Sequence, residues 1–303
     1  MTLRDLEYLV ALADTRHFGR AAARCHVSQP TLSAQVMKLE AYLGTPLVER
    51  RPRRIALTAA GESVVLHARR MLREADDIRT IARAGQDPLA GPLKLGLIPT
   101  LGPYLLPRVA PRITKALPKL QLLLHEYQTA PLIERTLAGD LDLAILALPA
   151  DTRGLVTRSL FAEAFLVAMP ASHRLAARKR VKTSDLSGEK LLLLEEGHCL
   201  RDQALAFCGA PMRRHSTGLA ATSLTTVMQM VANGYGVTLV PQIAADAELR
   251  DGRVRALPFV EPAPRRVIGL AWRKTSPRKQ DFMAFGDMVI AAVGPARRAR
   301  KSA

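Results

Sequence analysis

The N-terminal part of the chain is organised around residues 18–44, which read FGRAAARCHVSQPTLSAQVMKLEAYLG. The small side chains of the alanine-rich stretch allow another helix to approach closely, and Ser28 is a suitable N-cap for the helix that follows. Pro30 is tolerated in a first turn, and Gly44 suits a helix C-terminus. The sequence therefore predicts two helices joined by a tight turn, with the second helix starting after Ser28.

Helical periodicity continues on both sides of this pair. Residues 6–13 carry apolar side chains at i, i+3, i+4 and i+7, which predicts a preceding helix. Thr58 can cap a longer helix, in which apolar residues of the segment 64–82 alternate spacings of four and three. That is the period of a coiled-coil seam, so we predict a dimerisation helix, the alternative being a helix that packs only on its own domain. Glycines and prolines at 85–92 then indicate a hinge.

From Leu93 onward the pattern changes to short apolar segments that alternate with helices. Such strands suit a sheet that is covered on both faces by helices, so we predict an α/β domain. The predicted strands are Leu93–Ile98, Leu143–Leu148, Phe165–Met169, Leu191–Leu194, Val237–Val240 and Val267–Trp272.

The composition narrows the class of protein. A hydrophobic fraction of 48% and a charged fraction of 23% are typical of globular proteins, and no run of about 18 apolar residues is present to span a membrane. Three cysteines are too few for a secreted disulfide scaffold, which favours the reducing cytoplasm. The net charge of +17 favours an anionic partner such as DNA. Without a Walker loop, a His-Glu-x-x-His pair or a Gly-x-Ser-x-Gly elbow, we expect no enzyme, no cofactor and no metal site.

The second helix of the pair has the polar start that base recognition requires. In a helix-turn-helix the N-terminal end of this helix enters the major groove. Gln29 is suited to read a base edge, Ser28 and the first N–H groups to hold a phosphate, and Lys38 to grip the backbone together with the arginines of 50–54. The predicted DNA-binding residues are Phe18, Arg20, Ser28, Gln29, Pro30, Thr31, Ser33, Lys38, Arg50 and Arg53.

These residues resemble the N-terminal domain of the LysR-type regulators. The similarity rests on Phe18-Gly19-Arg20-Ala21-Ala22-Ala23, on Val27-Ser28-Gln29-Pro30-Thr31-Leu32-Ser33 and on Leu57-Thr58-Ala59-Ala60-Gly61. One departure is Ala34, where many members of the family carry arginine, and it affects which bases are read.

The resemblance implies the whole architecture. It implies an all-α winged helix-turn-helix domain over 1–58, a linker helix for dimerisation and a hinge over 59–90, and a two-lobed α/β regulatory domain similar to periplasmic binding proteins over 91–303. Lobe I would comprise about 91–162 and 268–303, and lobe II about 163–267. The partners it implies are double-stranded promoter DNA, RNA polymerase and further copies of the chain in a homotetramer built as a dimer of dimers, at the nucleoid in the cytoplasm.

Cys199 and Cys208 pose a geometric problem. The residues after Gly197 favour a short helix, and nine positions at about 1.5 Å rise place the two cysteines roughly 13 Å apart on opposite faces. A disulfide tolerates Cα separations of at most about 7 Å. If these cysteines join, the segment between them must unwind, and thiol oxidation would become a change of fold.

Taken by themselves, the residues leave several interpretations of this pair open. Cys199 is the better candidate for a reacting thiol, because His198 and Arg201 are near in sequence and a helix start stabilises a thiolate. Cys208 would then resolve the resulting sulfenic acid. The alternatives are two cysteines of the helical core, or metal ligation with His198 and His215, for which the Cys-x8-Cys spacing is a poor zinc pattern.

A narrower resemblance favours the redox interpretation. The run Gly197-His198-Cys199-Leu200-Arg201-Asp202-Gln203, followed by Phe207-Cys208, is similar to the peroxide-sensing members of the family. It implies that Cys199 is the peroxidatic and Cys208 the resolving thiol of a reversible disulfide. A reducing thiol system would reverse the disulfide, and its formation would activate antioxidant genes. The residues it implies around hydrogen peroxide are Thr100, Thr129, His198, Asp202 and Arg266.

Two rival functions remain in view. One is a LysR-type regulator whose cleft binds a small organic effector, with both cysteines structural. The other is a thiol enzyme that turns over peroxide, against which the N-terminal helical unit argues. We expect Cys25 to be a buried small hydrophobe without a redox role, and residues 297–301 to form a solvated basic tail.

Overall fold

The computed structural model describes residues 1–51, 54–83, 89–213, 216–250 and 252–294. Within these ranges the side chains of 50–51, 54, 80, 83, 208–213 and 216–219 lie outside the description. So do several predicted features: Arg53, the side chain of Arg50, part of the hinge, the side chain of Cys208, His215 and the basic tail. The chain forms two compact units, residues 1–86 and residues 87–303.

The first unit is a winged helix-turn-helix. Helices α1 (Leu3–Thr15), α2 (Phe18–Arg24) and α3 (Gln29–Leu43) precede a hairpin of β1 (Val48–Arg51) and β2 (Arg54–Leu57), after which α4 covers Ala59–Arg83. As predicted, the Ser28 hydroxyl caps α3 by accepting from the Thr31 N–H at 3.3 Å, and Gly44 ends that helix in the left-handed conformation. The predicted cap of α4 is also confirmed, because Thr58 accepts from the Gly61 N–H at 2.9 Å.

A compact apolar core holds the first unit together. Leu9 and Leu12 of α1 pack with Leu32 and Val36 of α3, and all four are fully buried. Cys25 is 8% exposed and packs into this cluster, as expected of a small hydrophobe. The exposed start of α3 is therefore set on a rigid helical base.

The second unit contains a seven-stranded mixed sheet. Along the sheet the strand order is β10, β6, β11, β5, β3, β4, and β9 also pairs with β6. The strands are β3 (Gly91–Leu97), β4 (Leu120–Glu126), β5 (Leu143–Leu148), β6 (Leu155–Pro170), β9 (Thr238–Pro241), β10 (Val254–Pro258) and β11 (Arg265–Arg273). A separate parallel pair is formed by β7 (Leu191–Leu194) and β8 (Ser216–Ala221).

The long strand β6 belongs to both halves of this unit. Its residues 155–164 pair with β11, and its residues 165–170 pair with β9 and β10. The first half of β6 therefore lies beside β11 and the parallel strands of lobe I, and the second half lies within lobe II.

Helices cover the sheets, as the apolar strands predict. They are α5 (Gly102–Ala116), α6 (Thr129–Ala138), α7 (Cys199–Arg213), α8 (Leu224–Ala232), α9 (Gln242–Glu248) and α10 (Lys279–Val293), with a 3-10 turn at Thr183–Leu186. Within the described ranges, none of the helices combines the length and the apolarity that a bilayer crossing requires.

Candidate functional site

Cys199 is the first residue of α7, and the loop before it is fixed to the opposite lobe. Gly197 has φ of +90°, and a Cβ built there would lie 2.4 Å from Oε1 of Gln128. Only glycine adopts this backbone without strain while leaving room for the Gln128 amide. The same amide donates from Nε2 to the carbonyl of Glu196 at 3.3 Å. The position of the Cys199 thiol is therefore set by contacts between lobe II and the start of α6 in lobe I.

A buried arginine supplies the positive charge of the site. Arg266 is 2% exposed and lies opposite Glu163 in the pairing of β11 with β6. Its Nε donates to Oε1 of Glu163 at 2.8 Å, its Nη1 to the hydroxyl of Thr100 at 3.0 Å, and its Nη2 to the Thr100 carbonyl at 3.1 Å. Oε2 of Glu163 in turn accepts from the Ile243 N–H at 2.8 Å. A buried charge so fully paired is fixed in place, since breaking one partner leaves the other charge uncompensated.

The surroundings of Cys199 push its pKa in both directions. Burial raises the pKa of the thiol, while the charge of Arg266 and the hydroxyl of Thr129 act to lower it. The carboxylate of Asp202 adds to the upward shift. Because burial outweighs the rest, the pKa of Cys199 lies above its ordinary value and the thiol is protonated at neutral pH.

The expected cationic neighbours of the thiol are corrected by the structure. Arg201 donates its Nη1 to the carbonyl of Leu194 at 3.1 Å, and its side chain is thereby tied to β7. Burial lowers the pKa of His198, which favours a neutral imidazole. Nearness in sequence was misleading here, because the charge that stabilises a thiolate at Cys199 comes from Arg266 on a distant strand.

Two buried polar atoms near Cys199 are left without a hydrogen bond of ordinary geometry among the described residues. They are Oγ1 of Thr129, at the start of α6, and Oε1 of Gln203, one turn after Cys199 on α7. A buried polar atom without a partner costs about 1–3 kcal/mol, so such atoms mark a place for a small polar molecule. Gln203 was not among the predicted site residues, although its i+4 spacing from Cys199 places both on one face of α7.

The structure brings most of the predicted peroxide residues together. Thr100 bonds Arg266, and Thr129 and Arg266 act on the thiol of Cys199. His198 is buried directly before Cys199 in the chain, whereas Asp202 is exposed and acts on the thiol only through its charge. Within the described residues no group of histidines, cysteines and carboxylates is suited to hold a metal ion.

The spacing of the two cysteines follows from the helix that contains both. Helix α7 runs unbroken from Cys199 to Arg213, so nine residues at a rise of about 1.5 Å separate the backbones of Cys199 and Cys208 by roughly 13 Å. Cys199 is a free thiol. The described conformation is therefore one in which a bond between the two would require α7 to unwind.

A second polar surface lies at the start of α3 in the first unit. Ser28, Gln29, Pro30, Thr31 and Lys38 are exposed there, and Ser33 is half-buried. The two predicted contacts from α2 are less available: Phe18 packs against the apolar core, and Arg20 donates its Nη2 to the carbonyl of Thr15 at 2.9 Å. The exposed set forms a polar N-terminal end of a helix, which is the part that enters a major groove.

Comparisons with known proteins match both units. Residues 3–62 match the family described as bacterial regulatory helix-turn-helix protein, lysR family, and residues 86–294 match the LysR substrate binding domain. The hydrogen peroxide-inducible genes activator of Dickeya chrysanthemi is 48% identical over 290 residues, covering 95% of each chain. The DNA-binding transcriptional dual regulator OxyR of Escherichia coli K12 is 46% identical over 291 residues, covering 96% of this chain and 95% of that one. A full-length OxyR variant from Pseudomonas aeruginosa superposes with a TM-score of 0.80 at 42% identity, covering 95% of this chain and 94% of that one.

Proposed function

Because this chain belongs to the lysR family of bacterial regulatory helix-turn-helix proteins, we propose that it binds promoter DNA, senses hydrogen peroxide and activates antioxidant genes. One observation carries the proposal. The thiol of Cys199 lies at the start of a helix beside a buried arginine and two unpartnered polar atoms, in a chain whose relatives carry names of peroxide-responsive activators. In this proposal the peroxide is a signal that oxidises the protein and is not a substrate for turnover.

The chemistry uses the two cysteines in sequence. The Cys199 thiolate attacks one oxygen of hydrogen peroxide, the O–O bond breaks, and the products are a sulfenic acid and, after protonation of the leaving hydroxide, water. The thiol of Cys208 then condenses with the sulfenic acid, forming the disulfide and releasing a second water. A reducing thiol system returns both to thiols. The sulfurs are each oxidised by one electron, and the two electrons reduce the peroxide.

The side chains around Cys199 have distinct roles in this scheme. Arg266 stabilises the thiolate that must form, because its charge is the largest influence that lowers the pKa of the thiol. Thr129 and Thr100 orient the peroxide through their hydroxyls, and His198 and Asp202 provide polar support. The unwinding of α7 then carries the signal, since its two ends cannot meet while the helix persists.

The assembly is proposed on the surface of α4. Leu66, Met71, Ile78 and Ile81 of this helix are exposed in the isolated chain, which supports a helix that pairs with a second copy. We propose a homotetramer built as a dimer of dimers, which contacts RNA polymerase at promoters and works at the nucleoid in the cytoplasm. The base-reading residues would be those at the exposed start of α3.

The decisive experiment is a footprint on promoter DNA with and without micromolar peroxide. The wild type should change its footprint within the time that peptide mapping shows a Cys199–Cys208 disulfide forming. Cys199→Ser should bind DNA with an unchanging footprint. Cys25→Ser, a substitution in the first unit, is the matched control and should respond like wild type. A footprint that changes while both thiols remain free would refute the proposal.

A further inference from the structure

A second cavity of about 780 Å³ lies in the regulatory unit, away from the thiol. Its walls come from α5, β6, α9, β11 and the end of α10. Cys199, Thr100 and Thr129 are not among its lining residues, but Glu163 is. Cavities of 300–1,000 Å³ are the size class that holds small organic molecules. This space therefore differs from the peroxide site and is separated from it by the Glu163 and Arg266 pair.

The hydrogen-bonding capacity of the cavity indicates the class of ligand. Its two lining carboxylates are engaged: Glu163 by Arg266 and by the Ile243 N–H, and Asp246 by Nη2 of Arg108 at 3.1 Å. The lining arginines keep donors to spare. Among the described residues Arg108 bonds only through Nη2, to Asp246 and to the Ile243 carbonyl, and Arg265 only through Nη2, to Glu261. A guanidinium has five N–H donors, so Nε and Nη1 of both are open to an acceptor.

The remaining lining is apolar. Phe161, Leu166, Ile243 and Val293 contribute ring and branched aliphatic surface, together with several alanines. Burial of an apolar body against such a surface contributes about 25 cal/mol per Å² removed from water. The cavity thus combines an apolar floor with arginine donors, and a planar carboxylate matches the fork of a guanidinium.

We propose that this cavity binds a small monocarboxylic acid with an aromatic or branched apolar body. The carboxylate would lie at Arg108 and Arg265, with the apolar body on Phe161 and Leu166. We further propose that the bound acid slows peroxide sensing, a part that rests on the function proposed above.

The route to the thiol is a short chain of contacts. Glu163 lines the cavity and holds Arg266 at 2.8 Å, and Arg266 is the cation that acts on Cys199. An added negative charge near this chain weakens the positive potential at the sulfur, so less thiolate forms. The acid also competes with Asp246 for Arg108, which joins α5 to α9. Both effects act across the cleft that holds Cys199.

Binding is tested on the reduced full chain by isothermal titration calorimetry with 3-phenylpropanoate and its neutral analogue 3-phenylpropanamide. We expect one site per chain in the reduced protein, with the amide bound at least about tenfold more weakly, a difference of about 1.4 kcal/mol. Arg108→Gln and Arg265→Gln should each weaken binding of the acid at least about fivefold. Arg153→Gln, at a highly exposed arginine outside the cavity, is the matched control and should bind as wild type does.

Three results would overturn the site: no saturable heat up to about 10 mM acid, equal affinity for acid and amide, or full affinity in the Arg108→Gln Arg265→Gln double variant. Titration of Cys199→Ser keeps this test independent of redox chemistry, because the cavity does not include the thiol. If that variant binds the acid while wild type fails to oxidise at Cys199, the proposed function fails and the site stands.

The regulatory part is tested by the rate of Cys199 oxidation at saturating acid. We expect the rate constant to fall at least about threefold in wild type and to stay unchanged in the double arginine variant. An equal rate with and without bound acid would overturn the coupling.

Discussion

Replacement of Thr129 by valine should make the protein more stable and a poorer sensor of peroxide. The two side chains have nearly the same shape, and Oγ1 of Thr129 is buried without a good hydrogen bond among the described residues. Removal of such an atom relieves a desolvation penalty of about 1–3 kcal/mol, so urea unfolding should show a gain of about 1 kcal/mol. The peroxide loses one hydrogen bond, and a loss of about 1–1.5 kcal/mol in the transition state lowers the rate about tenfold.

The rate is measured by stopping the reaction of peroxide with an alkylating reagent and mapping Cys199 by mass. Thr136→Val is the matched control on the same helix, because the Thr136 hydroxyl is fully buried but donates to the Leu132 carbonyl at 2.7 Å. The control should lose stability and keep its oxidation rate. If Thr129→Val loses stability as Thr136→Val does, or oxidises at the rate of wild type, the assigned role of the unpartnered hydroxyl is wrong.

Three further predictions follow from the site and from α3. Alkylation of Cys199 should accelerate about tenfold per pH unit from neutral pH upward, because a thiol whose pKa is raised by burial gains thiolate as pH rises, and a flat profile would contradict that burial. Arg266→Met should lower the free energy of unfolding by about 3–5 kcal/mol in urea, and adding Glu163→Gln should recover part of the loss, since the uncompensated carboxylate is then removed. In binding titrations Gln29→Ala should reduce discrimination between base pairs by about 1–3 kcal/mol. Lys38→Ala should instead weaken all DNA alike and reduce the salt slope by about 1, and the opposite assignment of the two effects would refute the proposed roles.

The local signals of the sequence predicted the first unit well. Ser28, Gly44 and Thr58 act at helix ends as expected, because a cap depends only on residues within one turn of it. Strand β6 shows the limit of such signals. The apolar run Phe165–Met169 is only the end of it, and the first half, with polar residues such as Arg158, is a strand because β11 pairs with it.

The candidate site shows the same limit more sharply. The helix start at Cys199 could be inferred from its neighbours, but the cation beside it comes from β11 and could not. The positions of Thr100, Thr129 and Arg266 entered the prediction only through a family resemblance, since they lie on three separate elements. Gln203 was within reach of helical spacing alone and was missed.

The continuity of β6 limits how this regulatory unit can move. A clamshell that opens and closes needs a flexible joint between its shells, yet here a single extended strand passes from one shell to the other while bonded to neighbours on either side. Bending it would break several ladder hydrogen bonds at once. A message that starts at the sulfur therefore travels outward as a reshaped local surface of lobe II, and the frame of the unit keeps its geometry.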